Sequence, residues 1–583
     1  MKLKLLDYTK ARMKGISEAI IRFWAVFLFL IVAATLIAIS IETPDDDLQK
    51  HIMAAFFGAF AFLVAQVLCE RFGKTRLQCC LFFVAGALAT AAYYIWILNA
   101  GAINDIVWAK TFTLFFALFA AFVWVPSIRG ESDFNATFLS VFKAFFVSLF
   151  FSGIIYGGLM LITFAVDQLL FEVDSNVFGH ISNIIWTLWA PMLMLSLIPV
   201  FAGKNKDSVK IAKATGYPKF LEVLLSYVLV PIASVYTLVI ILYMFKTVIL
   251  GEWTDNLLEP LLLSYLIGII LIYILVKRLS NAFKRFYVAV FPVLMAAIAL
   301  FQLVASYIKA ADTGIEASRY YVMLFSLYSI ICGVLLFVFP KKKNGYLASF
   351  AIIFALVCVT PYFGAFDTSI RSQSRLVEKT LIKNDMLKDG VLVPGDNLPD
   401  EDKQKIYNSV MYLHHVGGLG KLEFLPEDFE PGFGFEGTFG FDPYSGGKID
   451  STAKEYRSDP GVPVKTGGYD YLINDSVYFS TDGYSQIIGW VNDGGKEYEI
   501  KVDAEDDVLL IIGSGDAELL KVRVKEIFDA VKLYPETRGM LETDRLTFDF
   551  ENSMAKIRVI IRSIIIYEDG SGRMEAMILF GIK

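Results

Sequence analysis

"FWAVFLFLIVAATLIAISI", residues 23–41, runs nineteen residues without a charge and without a polar face at helical spacing. A helix on the surface of a soluble core carries one apolar and one polar stripe, whereas a helix that is apolar all round belongs in a deep interior or a bilayer. Roughly 20 apolar residues are needed to cross a hydrocarbon core of about 30 Å. Stretches of the same kind follow at approximately 51–69, 78–98, 108–128, 138–165, 181–201, 221–249, 260–276, 287–306, 320–339 and 346–364. The predicted fold is therefore an all-α polytopic membrane bundle of about eleven transmembrane helices, followed by an α+β extracytoplasmic domain with an antiparallel sheet. The first stretch is longer than the apolar part of a cleaved signal peptide, about 7–15 residues, so it reads as a retained span.

Composition agrees with this reading. Of 583 residues, 56% are hydrophobic, 15% aromatic and only 19% charged, where a soluble domain has nearer a quarter charged. The charge is unevenly divided: Met1 to Ala365 has 28 Lys+Arg against 20 Asp+Glu, and Phe366 to Lys583 has 25 against 39. All five cysteines, Cys69, Cys79, Cys80, Cys332 and Cys358, fall in the first part. The acidic second part therefore has no cysteine framework, and its charge argues against nucleic acid as a partner.

Loops between spans give a direction, because cytoplasmic loops keep Lys and Arg and short translocated loops lose them. One alternating set holds 23 basic residues, from Lys2 through Arg71 and Lys143 to the lysines of "FVFPKKKNGYLASF" (337–350); the other holds only Lys50, Lys110, Lys309 and Arg319. The N-terminus is thus expected in the cytoplasm. An odd number of spans then puts everything after residue 365 outside.

The expected organisation is a cytoplasmic N-terminus at 1–22, a transmembrane domain at 23–365, an extracytoplasmic helical segment at 366–425, an irregular segment at 426–468 and an α+β domain at 469–583. Within the helical segment, Ile370, Leu376, Val377 and Leu381 share a helical face, and a second helix starts near Pro399 or Asp400 and ends at Gly417. "PGFGFEGTFGFDPYSGG" is rich in breakers and reads as irregular. "YLINDSVYFS", "SQIIGWV", "KEYEIKV" and "DVLLIIG" are β-type runs, "DAELLKVRVKEIFDAVKLY" switches to helical spacing, and "EDGSG" joins two final strands as a hairpin.

Three stretches, "FLEVLLSYVLVPIASVYTLVIILYMFK" from 220, "SYIKAADTGIEASRYYVML" from 306 and "SIRSQSRLVEKTLIKNDMLKDGVL" from 369, resemble a family of bacterial multi-pass membrane proteins known as domain of unknown function 4153. The resemblance is best over roughly 140–415. It implies a bacterial inner (cytoplasmic) membrane location and supplies no activity.

Candidate ligand-binding residues lie near the outer ends of spans. Asp167, at the end of the fifth, could attract a cation or proton, with a solvated loop as the plainer reading. Lys309, Asp312, Glu316, Arg319 and Tyr320 crowd one outer loop, where a guanidinium with an aromatic wall suits an anionic group, or simply an interfacial anchor. Lys246, Gln66 and Gln302 are polar residues inside spans, and Lys246 is close enough to a span end to snorkel. His414 and His415 are adjacent and cannot share one metal as an i, i+4 pair could, and Asp45, Asp46 and Asp47 lack a calcium loop's spacing. "GGLGK" lacks the phosphate-loop pattern, and neither G-x-S-x-G nor H-E-x-x-H occurs. No catalytic residue, metal site or cofactor is assigned.

The expected partners are the lipid bilayer and either a small solute or other envelope proteins. Two functions fit. One is a transport or permease-like protein with an extracytoplasmic gating or ligand-binding domain; the other is an envelope sensor or assembly factor whose outer domain binds a protein or polymer. An envelope enzyme is a third, less supported by the residues present.

Overall fold

Thr75 begins its helix by a reciprocal pair of bonds. Its hydroxyl accepts from the Gln78 amide (3.2 Å) and the Gln78 side chain accepts from the Thr75 amide (3.3 Å), satisfying donors that a helix start otherwise leaves unpaired. Asn104, Asp133 and Asn281 cap later helices through the amides of Val107, Ala136 and Lys284. Such single polar residues fix where each apolar run enters its helix.

The computed structural model describes residues 15–583 except 44–45, 131, 203–205, 251–257, 341–343, 396, 427–428, 442–453, 459–461, 480–485, 494–495, 504–507, 514–516, 535–537 and 567–571. Lys2, Lys4, Lys10, Arg12, Lys14, Lys204, Lys341, Lys342 and Lys343, which weigh in the loop comparison, lie outside the described residues, as do Asp45 and most of "EDGSG". The chain divides into two units, Met1–Ser445 and Gly446–Lys583.

In the first unit, α1 is Trp24–Glu42, α2 Asp46–Phe72, α3 Arg76–Leu98, α4 Asp105–Trp124 and α5 Phe134–Leu169. Helix α6 joins Asn176–Asn183 to Ala190–Ser196 through a π-helical turn, Ile184–Trp189. After the short α7, Ser208–Thr215, helix α8 joins Lys219–Val223 to Val230–Leu250 through a second π turn, Leu224–Leu229. Then come α9 (Leu258–Val276), α10 (Ala282–Thr313), α11 (Ala317–Val338) and α12 (Gly345–Val359). Among the described residues, ten helices are long and apolar enough to cross a membrane. On α8, Ile232, Val235, Leu242 and Val248 are each at least 60% exposed; a belt of that size is untenable in water and is covered by acyl chains.

The eleventh expected span, 346–364, is shorter than its apolar run. Helix α12 has 15 residues, about 22 Å long against about 30 Å of hydrocarbon. It stops because Thr360 precedes Pro361 and takes an extended conformation, ψ 142°, as the proline ring requires. Tyr362 follows at φ 67°, and the chain turns into α13.

Helix α13 (Ala365–Lys383) and α14 (Asp400–His415) are joined through a two-stranded hairpin, β1 (Leu387–Lys388) and β2 (Val391–Leu392). Both helices occur where their apolar faces predict: Val377, Leu381, Ile406, Val410 and Leu413 are fully buried in one cluster. Helix α15, Pro431–Phe439, completes it, with Phe435 and Phe439 stacked 4.5 Å apart. Within the segment read as irregular, 426–468, Pro431–Phe439 is therefore helix and Lys454–Ser458 is strand, while 442–453 and 459–461 lie outside the described residues. The proline of α15 stands at the first helical turn and Gly440 closes the helix at φ 82°, so both act as terminators at positions that favour them.

The described residues of the second unit form two sheets. The larger runs β4 (Tyr471–Phe479), β12 (Gly572–Ile582), β11 (Ala555–Ile566), β3 (Lys454–Ser458), β9 (Arg538–Leu541), with β10 (Thr547–Glu551) also on β11. The smaller is a meander of β5 (Gln486–Asp493), β6 (Lys496–Asp503), β7 (Val508–Gly513) and β8 (Ala517–Arg523). Pairing among described strands is antiparallel except between β3 and β9. The run read as helical from 516 is divided: Ala517–Arg523 pairs with β7, and only Val524–Lys532, α16, is helix. Leu520, Val522 and Val524 alternate inward as a strand requires, then Val524, Ile527, Phe528 and Val531 follow helical spacing into the same core.

Candidate functional site

The turn between α10 and α11 is built around Gly314, at φ +74°. A Cβ there would lie 2.8 Å from the Gln373 amide nitrogen, so both the conformation and the approach of α13 require glycine. Five residues on, in the first turn of α11, Arg319 is 3% exposed. Its Nη1 donates to the Thr313 hydroxyl (2.8 Å) and the Gly314 carbonyl (3.0 Å), and its Nε lies 3.6 Å from Glu259 Oε1 on α9. Glu259 also accepts from Ser306 (3.0 Å), to which Gln302 donates (2.9 Å). A buried guanidinium is tolerated only with such partners, because an uncompensated charge in a low-dielectric interior costs several kcal/mol.

The same turn is held from the other side by α13 and α14. Gln373 donates to the Thr313 carbonyl (3.1 Å) and accepts from Ser409 (2.7 Å). Ser372 accepts from the Ile315 amide (2.9 Å). The Tyr412 hydroxyl accepts from the Ala317 amide (2.9 Å) and donates to Ser369 (2.8 Å); burial pushes its pKa up and keeps it a neutral donor. At the rim, Lys405 meets Asp312 (2.5 Å) and Glu401 (2.8 Å). Burial works against the Lys405 charge, but hydrogen bonds to those two carboxylates outweigh it and hold its pKa above the usual lysine value.

Of the residues picked from sequence, Arg319, Asp312 and Gln302 meet in this network. Lys309 is adjacent, its carbonyl accepting from Thr313 (3.1 Å). Tyr320 turns elsewhere and donates to the Phe363 carbonyl (2.5 Å), fixing the turn after α12; Glu316 precedes α11 without a side-chain capping bond. Asp167 closes its own loop, accepting from the Val173 amide (2.8 Å) and Gln168 (2.9 Å). Gln66 donates to Glu70 (2.9 Å), itself in a two-bond pair with Arg22. Lys246 is exposed on α8. His415 faces Asp105 at 3.1 Å on the surface.

Glu259, Ser306, Gln373, Ser409 and Tyr412 were not singled out, since each is ordinary until the fold brings it to Arg319. One signal in the sequence bears on two of them, Ser306 and Gln373, which lie in the stretches that carry the family resemblance. The stretches carrying the family resemblance include Gly314, Arg319 and Gln373, and these three meet. Among the described residues no group of three or more His, Cys, Asp or Glu could hold a metal ion. Chemically the junction is a polar latch that clamps α13 and α14 to α9–α11, with Ser306 against Glu259 as its hydroxyl–carboxylate pair.

No curated protein and no solved structure matches the chain. The model of one protein family, described as a domain of unknown function (DUF4153), matches residues 20–387, which take in α1 to α13 and the Gly314, Arg319 and Gln373 junction. With more than half its length so matched, the chain is a multi-pass membrane protein that belongs to the domain of unknown function 4153 family.

Proposed function

We propose that this protein is a permease-type membrane protein of the bacterial inner membrane, in which the α13–α14 layer gates the bundle through the Arg319 junction. The observation that carries this reading is the burial of Arg319 between a span partner, Glu259, and the turn that Gln373 and Tyr412 grip from outside the bundle. A charged latch satisfied in one arrangement of the layer, and expensive to leave unsatisfied in another, is a two-state element of the kind gating requires. The reading takes the N-terminus as cytoplasmic, on the ratio of 23 basic residues to 4 between alternate loops. It counts the short α12 as the eleventh crossing because Tyr320, at the start of α11, bonds Phe363 just past the end of α12; the sheet unit is then outside.

The test is solute release from proteoliposomes that hold the full chain and a mixed bacterial small-metabolite extract. Wild-type vesicles should lose at least one solute class that protein-free vesicles retain, and Arg319→Ala should change that rate at least tenfold while Arg319→Lys changes it less. Wild-type vesicles that retain all that protein-free vesicles retain overturn the reading. A second reading, an envelope sensor or assembly factor, is favoured by one feature: Gly446–Lys583 has its own core of Tyr456, Phe528, Ile557, Ile561 and Phe580, all 2% exposed or less, and so suits a binding unit. Capture of one specific envelope protein by crosslinking in intact cells, with no flux, would decide for it.

A further inference from the structure

At the end of the bundle where α1 starts, a cavity of about 1390 Å³ opens between the helical residues 15–22, α2, α5, α6 and α7. Its walls carry Arg22, Lys143, Lys210 and Lys213 against Glu18, Glu70 and Asp207. Most of that charge is already committed. Arg22 binds Glu70 through two bonds, 2.7 and 2.8 Å, and the Ile198 carbonyl at 2.7 Å; Asp207 caps α7; Lys210 lies 3.4 Å from Glu18. Lys143 meets backbone carbonyls, those of Gly216 (2.6 Å) and Lys213 (3.4 Å), rather than a carboxylate. Lys143 and Lys213 are therefore cations without a described anionic partner. In the same wall the Ser140 hydroxyl, 2% exposed, has no hydrogen-bond partner among the described residues.

Along the same helices lies a second cavity, of about 310 Å³, and it is of the opposite character. Val26 and Leu30 of α1, Leu63 of α2, Phe145 of α5, and Trp186 and Met194 of α6 line it. Its polar wall residue, Ser148, is already satisfied by donating to the Ala190 carbonyl (2.6 Å). Leu195 belongs to both cavities, and α5 passes from Lys143 and Ala144 in one to Phe145 and Ser148 in the other. The π-helical turn Ile184–Trp189 brings Trp186 into the apolar wall; π turns are uncommon and recur at functional sites.

We propose that the two cavities form one binding site for an anionic phospholipid of the surrounding bilayer. Lys143 and Lys213 take the phosphate, the Ser140 hydroxyl donates to a headgroup oxygen, and an acyl chain enters the apolar cavity. A basic mouth between membrane helices selects anionic headgroups, and each part uses an otherwise unexplained feature: cations without an anionic partner and a buried hydroxyl without a hydrogen-bond partner, both among the described residues, and an apolar void. The site is distinct from the Arg319 junction and does not depend on transport.

Native mass spectrometry of the full chain, purified in detergent and offered phosphatidylglycerol and phosphatidylcholine of equal chain length, tests this. Wild type should retain phosphatidylglycerol preferentially, and Lys143→Gln/Lys213→Gln, two changes at the mouth that leave the core packing alone, should weaken that retention about thirtyfold. Ser148→Trp, which fills the apolar cavity, should lose phosphatidylglycerol with the lysines intact; should that variant fail to fold, the lysine pair still decides. Equal retention of the two lipids, an unchanged preference in the lysine variant, or displacement of phosphatidylglycerol by inorganic phosphate at comparable concentration would each overturn the proposal.

Discussion

At Gly314 the backbone, with φ +74° and ψ 171°, occupies a region open almost only to glycine, and the Gln373 side chain fills the place a methyl would take. Gly314→Ala should therefore lower the unfolding free energy of the detergent-solubilised protein by roughly 1–3 kcal/mol. Part of that loss is steric and part is backbone strain, and the two separate by experiment. Gln373→Ala opens the space but leaves φ unchanged, and it also removes bonds to Thr313 and Ser409. The double variant should be less destabilised than the sum of the two single ones, a coupling expected of residues in contact; strict additivity would mean that the glycine is needed for φ alone. This pairing also marks where sequence reading ends. Arg319, Asp312 and Gln302 stood out as charged or polar residues in or beside apolar runs, but Gln373 lies nearly sixty residues beyond Gly314 and Tyr412 almost a hundred beyond. No local pattern specifies contacts across such separations.

Helices and strands were legible to the extent that their periodicity was undisturbed. Residues 23–41 against Trp24–Glu42, and 78–98 against Arg76–Leu98, differ by one or two residues because an apolar run and its helix end nearly together in a bilayer. Hydropathy is blind to a proline's effect on the residue before it, which is why α12 is shorter than its run. Composition likewise treats Gly and Pro as breakers wherever they fall, so it does not disclose α15. The α13–α14 pair adds a test of its own. Asp402, with a side chain 5% exposed, accepts from Lys383 (2.8 Å) and Asn384 (2.9 Å), tying the end of α13 to the start of α14. Burial alone would raise its pKa, but those bonds outweigh it and hold the carboxyl below the usual aspartate range. The folded state therefore binds its proton later than the unfolded state does. Its stabilising contribution is complete above about pH 4, the unperturbed value, and is lost as pH falls through the lower folded value. Asp402→Asn should be less stable than wild type at neutral pH, measured as melting temperature, and the difference should shrink below about pH 4. A gap that stays constant down to about pH 2 would assign the effect to packing alone.

For the molecule as a whole, direction in the membrane is the property from which the roles of both ends follow, and the cysteines give it a test independent of charge counting. Cys69 and Cys79 flank the turn that holds Arg71, Lys74 and Arg76, and the structure joins them as a disulfide between the end of α2 and the start of α3. The loop comparison assigns that turn to the cytoplasm, where thiols are kept reduced and structural disulfides are rare. The two readings predict different chemistry in living cells. If the turn faces the cytoplasm, Cys69 and Cys79 are a juxtaposed dithiol there and oxidise to this bond only after lysis; if it faces outward, they are already bonded. The other cysteines, Cys80, Cys332 and Cys358, are free thiols in either case. Cells quenched in acid, denatured and treated with a maleimide polymer should thus show five modified cysteines for the proposed direction and three for the reverse, of the five in the chain. Replacing Cys69 and Cys79 by serine should leave three in both, which fixes the assignment of the missing two. A count of three in wild type would move the basic mouth between α1, α5 and α7 to the outer surface, together with the lipid site proposed there. The 23-to-4 bias would then need a cause other than retention of positive charge.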